Sequence, residues 1–536
     1  MAKTEKAPGS HITLFNLALV LALCLGSITY GYTFSIVSTT LGQPGWYAYF
    51  DLVSDETSER YAYTKRIEGA MNGLFCAGGF FGCVFIGWSS NAIGRRKSLF
   101  VALPIAIIGG ALQAGAAHIA MFLVGRFIGG IAVGILVTLV PLFQSEIAPP
   151  AVRGFLVSQH GVMMVLGYSL AAWTGFACYF STNLNFQWRY PLAEQCLFPI
   201  ALLFMMPWIP ESPRWLVMKD RHDEAWVILA KLHGISGHEQ DSPEATFCRE
   251  EFFQIRKQEA ADKLQAQIDG RSIMTLFRKP SYRKRMFCAF MTMFAAESTG
   301  ILVIYNYSVL LYQGLGFSNM ISLMLAALYV TVACAGNYIC SLLIDRVGRV
   351  KLLLTGLIGC MLSLAVETAL DAVYTGDALI TNRNEAGLRA GVFFMFLYIT
   401  FYGCCIDANT FVYCSEIFPS HFRSYGTAWS LSILFLSAMI YLEAAPTALA
   451  VIGWKYFLLF ICLTFVNTIV VWKVFPETKG LSLEEIGEVF GDEVAVRLTH
   501  LTSAERELLD RNIDAEKAGG AQVEQLETPA HGSESA

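Results

Sequence analysis

Gly87-Trp88-Ser89-Ser90-Asn91-Ala92-Ile93-Gly94-Arg95-Arg96-Lys97 and Ser341-Leu342-Leu343-Ile344-Asp345-Arg346-Val347-Gly348-Arg349-Val350-Lys351 spell one turn twice: a glycine followed at once by cations. Two further signatures recur in the same order. Ser145-Glu146-Ile147-Ala148-Pro149 with Arg153 returns 270 residues later as Ser415-Glu416-Ile417-Phe418-Pro419 with Arg423. Pro210-Glu211-Ser212 returns 266 residues later as Pro476-Glu477-Thr478. Three turns repeated in the same order, at offsets of 254, 270 and 266 residues, imply two parallel halves of similar construction.

What lies between these turns is apolar. Of 536 residues, 55% are hydrophobic and 15% charged, against roughly 25% charged in a soluble domain; the mean hydropathy is +0.49. Leu14 to Leu41 contains no charged side chain and exceeds the roughly 20 residues a helix needs to cross a bilayer. Charge-free runs punctuated by Gly, Pro and polar residues predict further spans near 67–90, 98–117, 119–146, 155–180 and 190–209, then 286–312, 320–344, 350–373, 389–414, 427–446 and 454–475. The expected fold is therefore an all-α membrane protein of twelve transmembrane helices in two six-helix halves, the repeat relation of the major facilitator fold.

The expected division is an N-terminus over 1–13, a first half over 14–216, a linker with short helices over 217–285, a second half over 286–480 and a mostly disordered tail over 481–536. Arg95, Arg96, Lys97, Arg153, Arg346, Arg349, Lys351 and Arg423 fall on the linker's side, and the linker itself carries fourteen Lys or Arg between Arg214 and Arg285. That cation bias predicts a cytoplasmic linker and, with an even span count, two cytoplasmic termini. A net charge of -5 offers no basic excess for a nucleic-acid backbone. Cys24, Cys76, Cys83, Cys288, Cys334, Cys340, Cys360 and Cys462 lie inside apolar runs and read as small buried hydrophobes; the adjacent Cys404 and Cys405 lack the spacing of a metal knuckle. No metal, cofactor or enzymatic activity is expected, since no nucleophile, aligned base or nucleotide motif can be assembled.

Pro210-Glu211-Ser212-Pro213-Arg214-Trp215, Gly125-Arg126, Trp188-Arg189 with Pro191 and Gln195, and Pro476-Glu477-Thr478-Lys479-Gly480 resemble the signatures of the sugar porter family, in its fungal form, from the first span to Gly480. The resemblance implies a plasma-membrane transporter of a sugar, polyol or sugar acid, often with proton symport. It also implies that Arg95, Glu146, Arg153, Arg349, Glu416 and Arg423 form a cytoplasmic gate. Asn91 stands where the family usually has Asp, an expected loss of one charge from the first-half network.

Ionisable groups inside lipid-spanning helices are costly and point to function by default. Arg126 matches the family's fourth-span arginine, which works with a first-span acid in proton coupling; here Thr33 occupies that acid's place. Counted without gaps, the family's sugar-contacting positions fall on Gly161, Ala296, Glu297, Leu302, Asn306, Cys405 to Ala408, Leu434 and Phe435. A hexose in a dry cavity needs amides and hydroxyls, because each unpaired hydroxyl costs on the order of 1 to 3 kcal/mol. The gate is retained and the pocket rewritten. Candidate solute contacts are Gln159, His160, Glu297, Asn306, Asp407 and Asn409; candidate proton-coupling groups are Arg126, Glu297 and Asp407. The expected partners are a small solute, protons and the lipid bilayer. Two other readings stay open: a facilitator or exporter of a non-hexose metabolite, and a nutrient sensor that binds without carrying.

Overall fold

The computed structural model describes residues 13–53, 60–149, 152–235, 243–269, 275–315, 317–374, 385–419, 422–481 and 485–492. Among them, twelve helices are long and apolar enough to cross a membrane. The first six are α1 (Leu14–Thr40), α2 (Tyr61–Ile93), α3 (Arg95–Ala114), α4 (Ile119–Ile147), α5 (Arg153–Tyr179) and α6 (Leu184–Trp208). The second six are α7 (Pro280–Asn306), α8 (Asn319–Val347), α9 (Arg349–Tyr374), α10 (Arg389–Glu416), α11 (Arg423–Leu449) and α12 (Lys455–Val474). No strand occurs among the described residues. The expected N-terminus, apart from Thr13, and the tail beyond Asp492 lie outside them.

The chain's local chemistry starts and stops these helices. Thr13, Ser212 and Ser318 each accept a hydrogen bond from a backbone N–H of the first turn that follows. The repeated glycine turn ends α2 at Gly94 (φ +99°) and α8 at Gly348 (φ +110°), a region closed to most side chains. A Cβ on Gly94 would stand 2.4 Å from a Glu211 carboxyl oxygen, and one on Gly348 would stand 2.6 Å from Glu477. Gly348→Ala is therefore expected to cost about 1–3 kcal/mol, seen as a lower melting temperature in detergent.

Where span limits differ from the sequence reading, a polar break or an extra turn is responsible. The helix expected over 286–312 starts at Pro280 and stops at Asn306, because Tyr307 leaves helical geometry before a short helix, Ser308–Gly314, resumes. Large apolar side chains such as Phe81, Phe204, Trp208 and Trp472 point outward, as a lipid-facing surface requires. Cys462, read as a small buried residue, is instead exposed on α12, while Cys24, Cys76, Cys83, Cys288, Cys340 and Cys360 are buried.

Within the first half α1 packs on α5, and α2 and α3 on α4; the halves join where α2 meets α11 and α5 meets α8. The linker helices are Pro213–Met218, which begins ahead of the expected boundary at 217, then His222–Leu232, Pro243–Asp269 and Thr275–Arg278. The first three share a small core of Trp215, Leu229, Cys248 and Ile255. His233 Nε2 lies 2.9 Å from Glu251, and Thr13 donates to the Leu232 carbonyl at 2.9 Å, tying the linker to the start of α1.

Burial and the nearby Asp262 push the linker carboxyl of Glu259 up to about 7. The folded form then holds a proton that the unfolded chain releases, so this contribution is present below about pH 4.5 and is lost as pH rises through about 7. The protection of Pro243–Asp269 against hydrogen exchange, taken relative to the intrinsic amide rate at the same pH, is expected to be greater near pH 5 than near pH 8. Glu259→Gln should remove most of that difference, on the order of 3 kcal/mol.

Candidate functional site

Two broken helices face each other across the middle of the molecule. In α7 the break falls at Ser298–Gly300, with Gly300 left-handed at φ +88°. Breaking a helix inside a membrane frees carbonyls that must find partners. Tyr398 on α10 donates to the Thr299 carbonyl at 3.0 Å, and Thr464 on α12 donates to the Ser298 carbonyl at 3.3 Å. In α10 the break falls at Ile406, between Glu385–Cys405 and Asp407–Glu416. Asn337 on α8 bridges it: its Oδ1 accepts from the Ala408 N–H and its Nδ2 donates to an Asp407 carboxyl oxygen, each at 3.0 Å. Glu297 immediately precedes one break and Asp407 immediately follows the other.

Both carboxyls line a central cavity of about 50 Å³ between the halves. Glu297 is 5% exposed and Asp407 8%. Among the described residues Glu297 Oε2 has no hydrogen-bond partner. Ala296, Leu302 and Leu434 also line the cavity, as ungapped counting from the motifs expected. The sequence reading missed what dominates the wall: Tyr30, Tyr168, Tyr305, Tyr329 and Tyr402. A polar-tipped aromatic recurring inside lipid-spanning runs was the available signal. No asparagine or glutamine lines this cavity among the described residues.

Several candidates sit elsewhere. His160 places Nδ1 2.8 Å from Ser27 Oγ and its ring against Phe411, with the centroids 4.9 Å apart, outside the cavity lining. Gln159 donates to the Phe155 carbonyl of its own helix at 3.0 Å. The cause is a close approach of α5 to α10: a Cβ on Gly161 would stand 2.6 Å from Ala408 Cα. That packing fills the space next to Gln159 and His160, and α5 reaches the cavity only through Met164, Val165 and Tyr168. Asn409 donates to the Arg349 carbonyl at 2.7 Å, an anchor for the turn before α9. Asn306, turned the other way from Tyr305, lines a separate vestibule of about 450 Å³ together with Gln43, Glu68 and Gln313.

Arg126 is fully buried on α4, with its guanidinium over the Phe75 ring at 4.1 Å. It donates to the backbone carbonyls of Thr33 at 2.9 Å and Met71 at 3.4 Å. No carboxylate among the described residues forms an ion pair with it. Position 33 therefore supplies a peptide oxygen to this arginine and no titratable group.

The cavity is closed on both sides. Toward the vestibule Tyr305 bonds Ser35 across the halves and stacks on Tyr168, with centroids 5.6 Å apart. Farther out Trp173 donates to Thr331 at 3.0 Å. Toward the linker side, each half carries one buried bidentate ion pair. Arg95 binds Glu146 at 2.7 and 2.9 Å, and Ser212 donates to the same carboxylate at 2.5 Å. Arg349 binds Glu416 at 3.0 and 3.2 Å, and Thr478 donates to it at 3.1 Å.

These pairs lie within halves. Across the halves Arg95 also donates to Ser424 Oγ at 3.5 Å, and the shorter bonds are made by neighbouring residues. Asp345, which pairs with Arg349 at 3.0 Å, accepts from the Phe155 N–H at the start of α5 at 2.7 Å. Asn91, its counterpart in the repeat, accepts from Arg95 at 3.4 Å and from Ser424 at the start of α11 at 2.9 Å. The amide oxygen thus keeps the acceptor role while giving up the charge. Arg153 reaches the Leu481 carbonyl at 3.4 Å, and Arg423 donates to the Phe418 carbonyl at 3.2 Å. Glu211 and Glu477, quoted in the sequence as repeat and family markers without a role of their own, are the hubs of the turns: Glu211 accepts from the N–H groups of Arg95 and Arg96, and Glu477 from those of Arg349 and Val350.

Comparison with known proteins agrees with this architecture. Residues 19–490 match the family described as "Sugar (and other) transporter". The chain is 31% identical to the MFS-type transporter criB of Aspergillus cristatus over 491 residues, covering 92% of this chain and 96% of that one. It is 26% identical to the sugar transporter STL1 of Saccharomyces cerevisiae, covering 81% and 74%, and 28% identical to the quinate permease of Neurospora africana, covering 90% and 88%. The fold is that of the proton:xylose symporter XylE bound to 6-bromo-6-deoxy-D-glucose, with TM-score 0.77 at 22% identity over 90% of this chain and all of that one. The inward-open conformation of XylE from E. coli superposes less well, with TM-score 0.63 at 21% identity over 88% and 99%. Repeat, broken helices and family match converge, and the chain belongs to the sugar porter family of the major facilitator superfamily, whose members are membrane transporters.

Proposed function

We propose that this protein carries a small solute, a sugar or a related polyol or sugar acid, across the membrane by alternating access between its two halves. The observation that carries this reading is the central cavity at the α7 and α10 breaks, with a separate set of bonds closing it on each side. At about 50 Å³ it is far below the roughly 300 Å³ of a ligand-filled pocket, so the halves must part for a solute to enter. We assign the closure set by Asp345, Asn91 and Arg153, braced by the Arg95–Glu146 and Arg349–Glu416 pairs, to the cytoplasmic gate in the plasma membrane. The linker and both termini belong on that side.

Glu297 and Asp407 are the proton-coupling groups in this reading, and Arg126 is a packing cation for the α1–α4 contact. Thr33 cannot exchange a proton near neutral pH, whereas a buried carboxyl can. The cavity's tyrosines and lack of amides favour one refinement: the solute presents fewer hydroxyls than a hexose and a flatter face to the rings. The relatives' names, from sugar transporter to quinate permease, span that range.

The test is uptake of labelled hexoses, pentoses, polyols, sugar acids and cyclic hydroxy acids into proteoliposomes, each with and without an inward proton gradient. Gradient-driven accumulation of a sugar or sugar-like solute supports the reading. No accumulation of any of them by well-folded protein sinks it.

A further inference from the structure

The largest of the cavities described lies away from the solute path. About 710 Å³ in volume, it sits where the linker-side ends of α3 and α6 meet the linker helices. Phe100 on α3 and Leu203 and Met206 on α6 form its membrane-side wall; Trp215 and Ile228 of the linker form the other. Phe204 and Trp208 stand 74% and 75% exposed on the adjacent face of α6, which marks this level as the edge of the bilayer.

The two carboxylates of the rim are already engaged. Arg221 donates from Nε and Nη2 to Glu224, at 2.8 and 2.6 Å. Glu211 is turned to the backbone N–H groups of Arg95 and Arg96, at 2.9 and 3.2 Å. Arg96, half-buried, and Lys97, exposed, have no ion-pair partner among the described residues. Two cations above an apolar slot at the membrane edge are complementary to a molecule with an anionic head and a hydrocarbon tail.

We propose that an anionic phospholipid occupies this groove, its phosphate on Arg96 and Lys97 and one acyl chain along Phe100, Leu203 and Met206. The site does not depend on which solute the central cavity carries. It bears on the gate through the Arg95-Arg96 turn: Glu211 holds both N–H groups, and the Arg95 side chain pairs with Glu146. A phosphate on Arg96 fixes the end of α3 and favours the closed linker-side arrangement.

The test is native mass spectrometry of the full chain released from bilayers of equal phosphatidylglycerol and phosphatidylcholine, wild type beside Arg96→Gln/Lys97→Gln. The wild type should retain one phosphatidylglycerol in several-fold excess over phosphatidylcholine, and the double variant, with an unchanged melting profile, should lose that preference. Equal retention of both lipids by the wild type, or an undiminished preference in the double variant, overturns the proposal. A double variant that does not fold leaves the wild-type preference and a Lys97→Gln single variant as the deciding pair.

Discussion

Glu297→Gln is expected to abolish uphill transport while leaving downhill exchange of the solute measurable. The amide has the carboxyl's shape and can still line the cavity, but it cannot take up and release a proton. One coupled proton concentrates a solute about tenfold for each unit of pH gradient; in the variant the ratio should fall to about one. Two features single out Glu297: it is 95% buried in a wall that offers Oε2 no partner, and it immediately precedes the Ser298–Gly300 break. Asp407→Asn should have the smaller effect of the two, because Asn337 already holds one Asp407 oxygen at 3.0 Å. Uptake with and without a gradient, run in parallel for both variants, reads the difference. Equal accumulation by wild type and Glu297→Gln would place the proton site elsewhere.

Asp345→Ala is expected to shift the protein toward the state open on the linker side. Its carboxylate accepts from the Phe155 N–H at 2.7 Å across the halves and pairs with Arg349 at 3.0 Å within its own half. A charge-assisted hydrogen bond of this kind contributes about 1.5–3 kcal/mol, so its loss should change the ratio of open to closed protein by roughly 10- to 100-fold. The Asn91 side of the gate is softer, since its bond to Ser424 joins two neutral groups at 2.9 Å. Asn91→Ala should move the same equilibrium by about 0.5–1.5 kcal/mol. Accessibility of linker-side thiols to a membrane-impermeant reagent ranks the two variants. An Asn91→Ala effect larger than that of Asp345→Ala would contradict the assigned asymmetry.

The fold was legible because each half writes it independently. Gly94-Arg95 and Gly348-Arg349 predict the same turn, and both glycines adopt the same positive φ against a following Pro-Glu hub. Charge-free runs gave the spans because lipid allows few other solutions. The ion pairs were legible as residue types, but not their arrangement. Arg95 and Glu146 were legible as gate residues, but not that they pair inside the first half while the cross-half bonds run from Asn91, Asp345, Arg153 and a second contact of Arg95, to Ser424. Partners of that kind depend on which helices meet, α2 with α11 and α5 with α8, and no local pattern records it.

The cavity was legible by counting along α7 and α10, where Glu297 and Asp407 fall as expected, and failed along α5. There the contact of Gly161 with Ala408 excludes Gln159 and His160 from the wall. Asn306 lies apart from the central cavity for a related reason: the irregular turn at Tyr307 leaves Tyr305 on the cavity and Asn306 on the vestibule. Tertiary approach and helix breaks, which a regular period cannot show, account for both.

If the two halves rock about the central cavity, one distance between them must change. Ala92 and Lys351 are exposed, flank the repeated Gly-Arg turns at the end of α2 and the start of α9, and lie on opposite halves at the linker-side ends of the bundle. Spin labels at these positions, introduced as Ala92→Cys and Lys351→Cys with the exposed Cys462 replaced by Ser, report their separation by pulsed electron resonance. A single short distance in the resting protein is predicted, with a longer population appearing when transported solute is added and dominating in Asp345→Ala. One unchanging distance in all three samples, while the same liposomes still take up solute, would contradict alternating access between these halves.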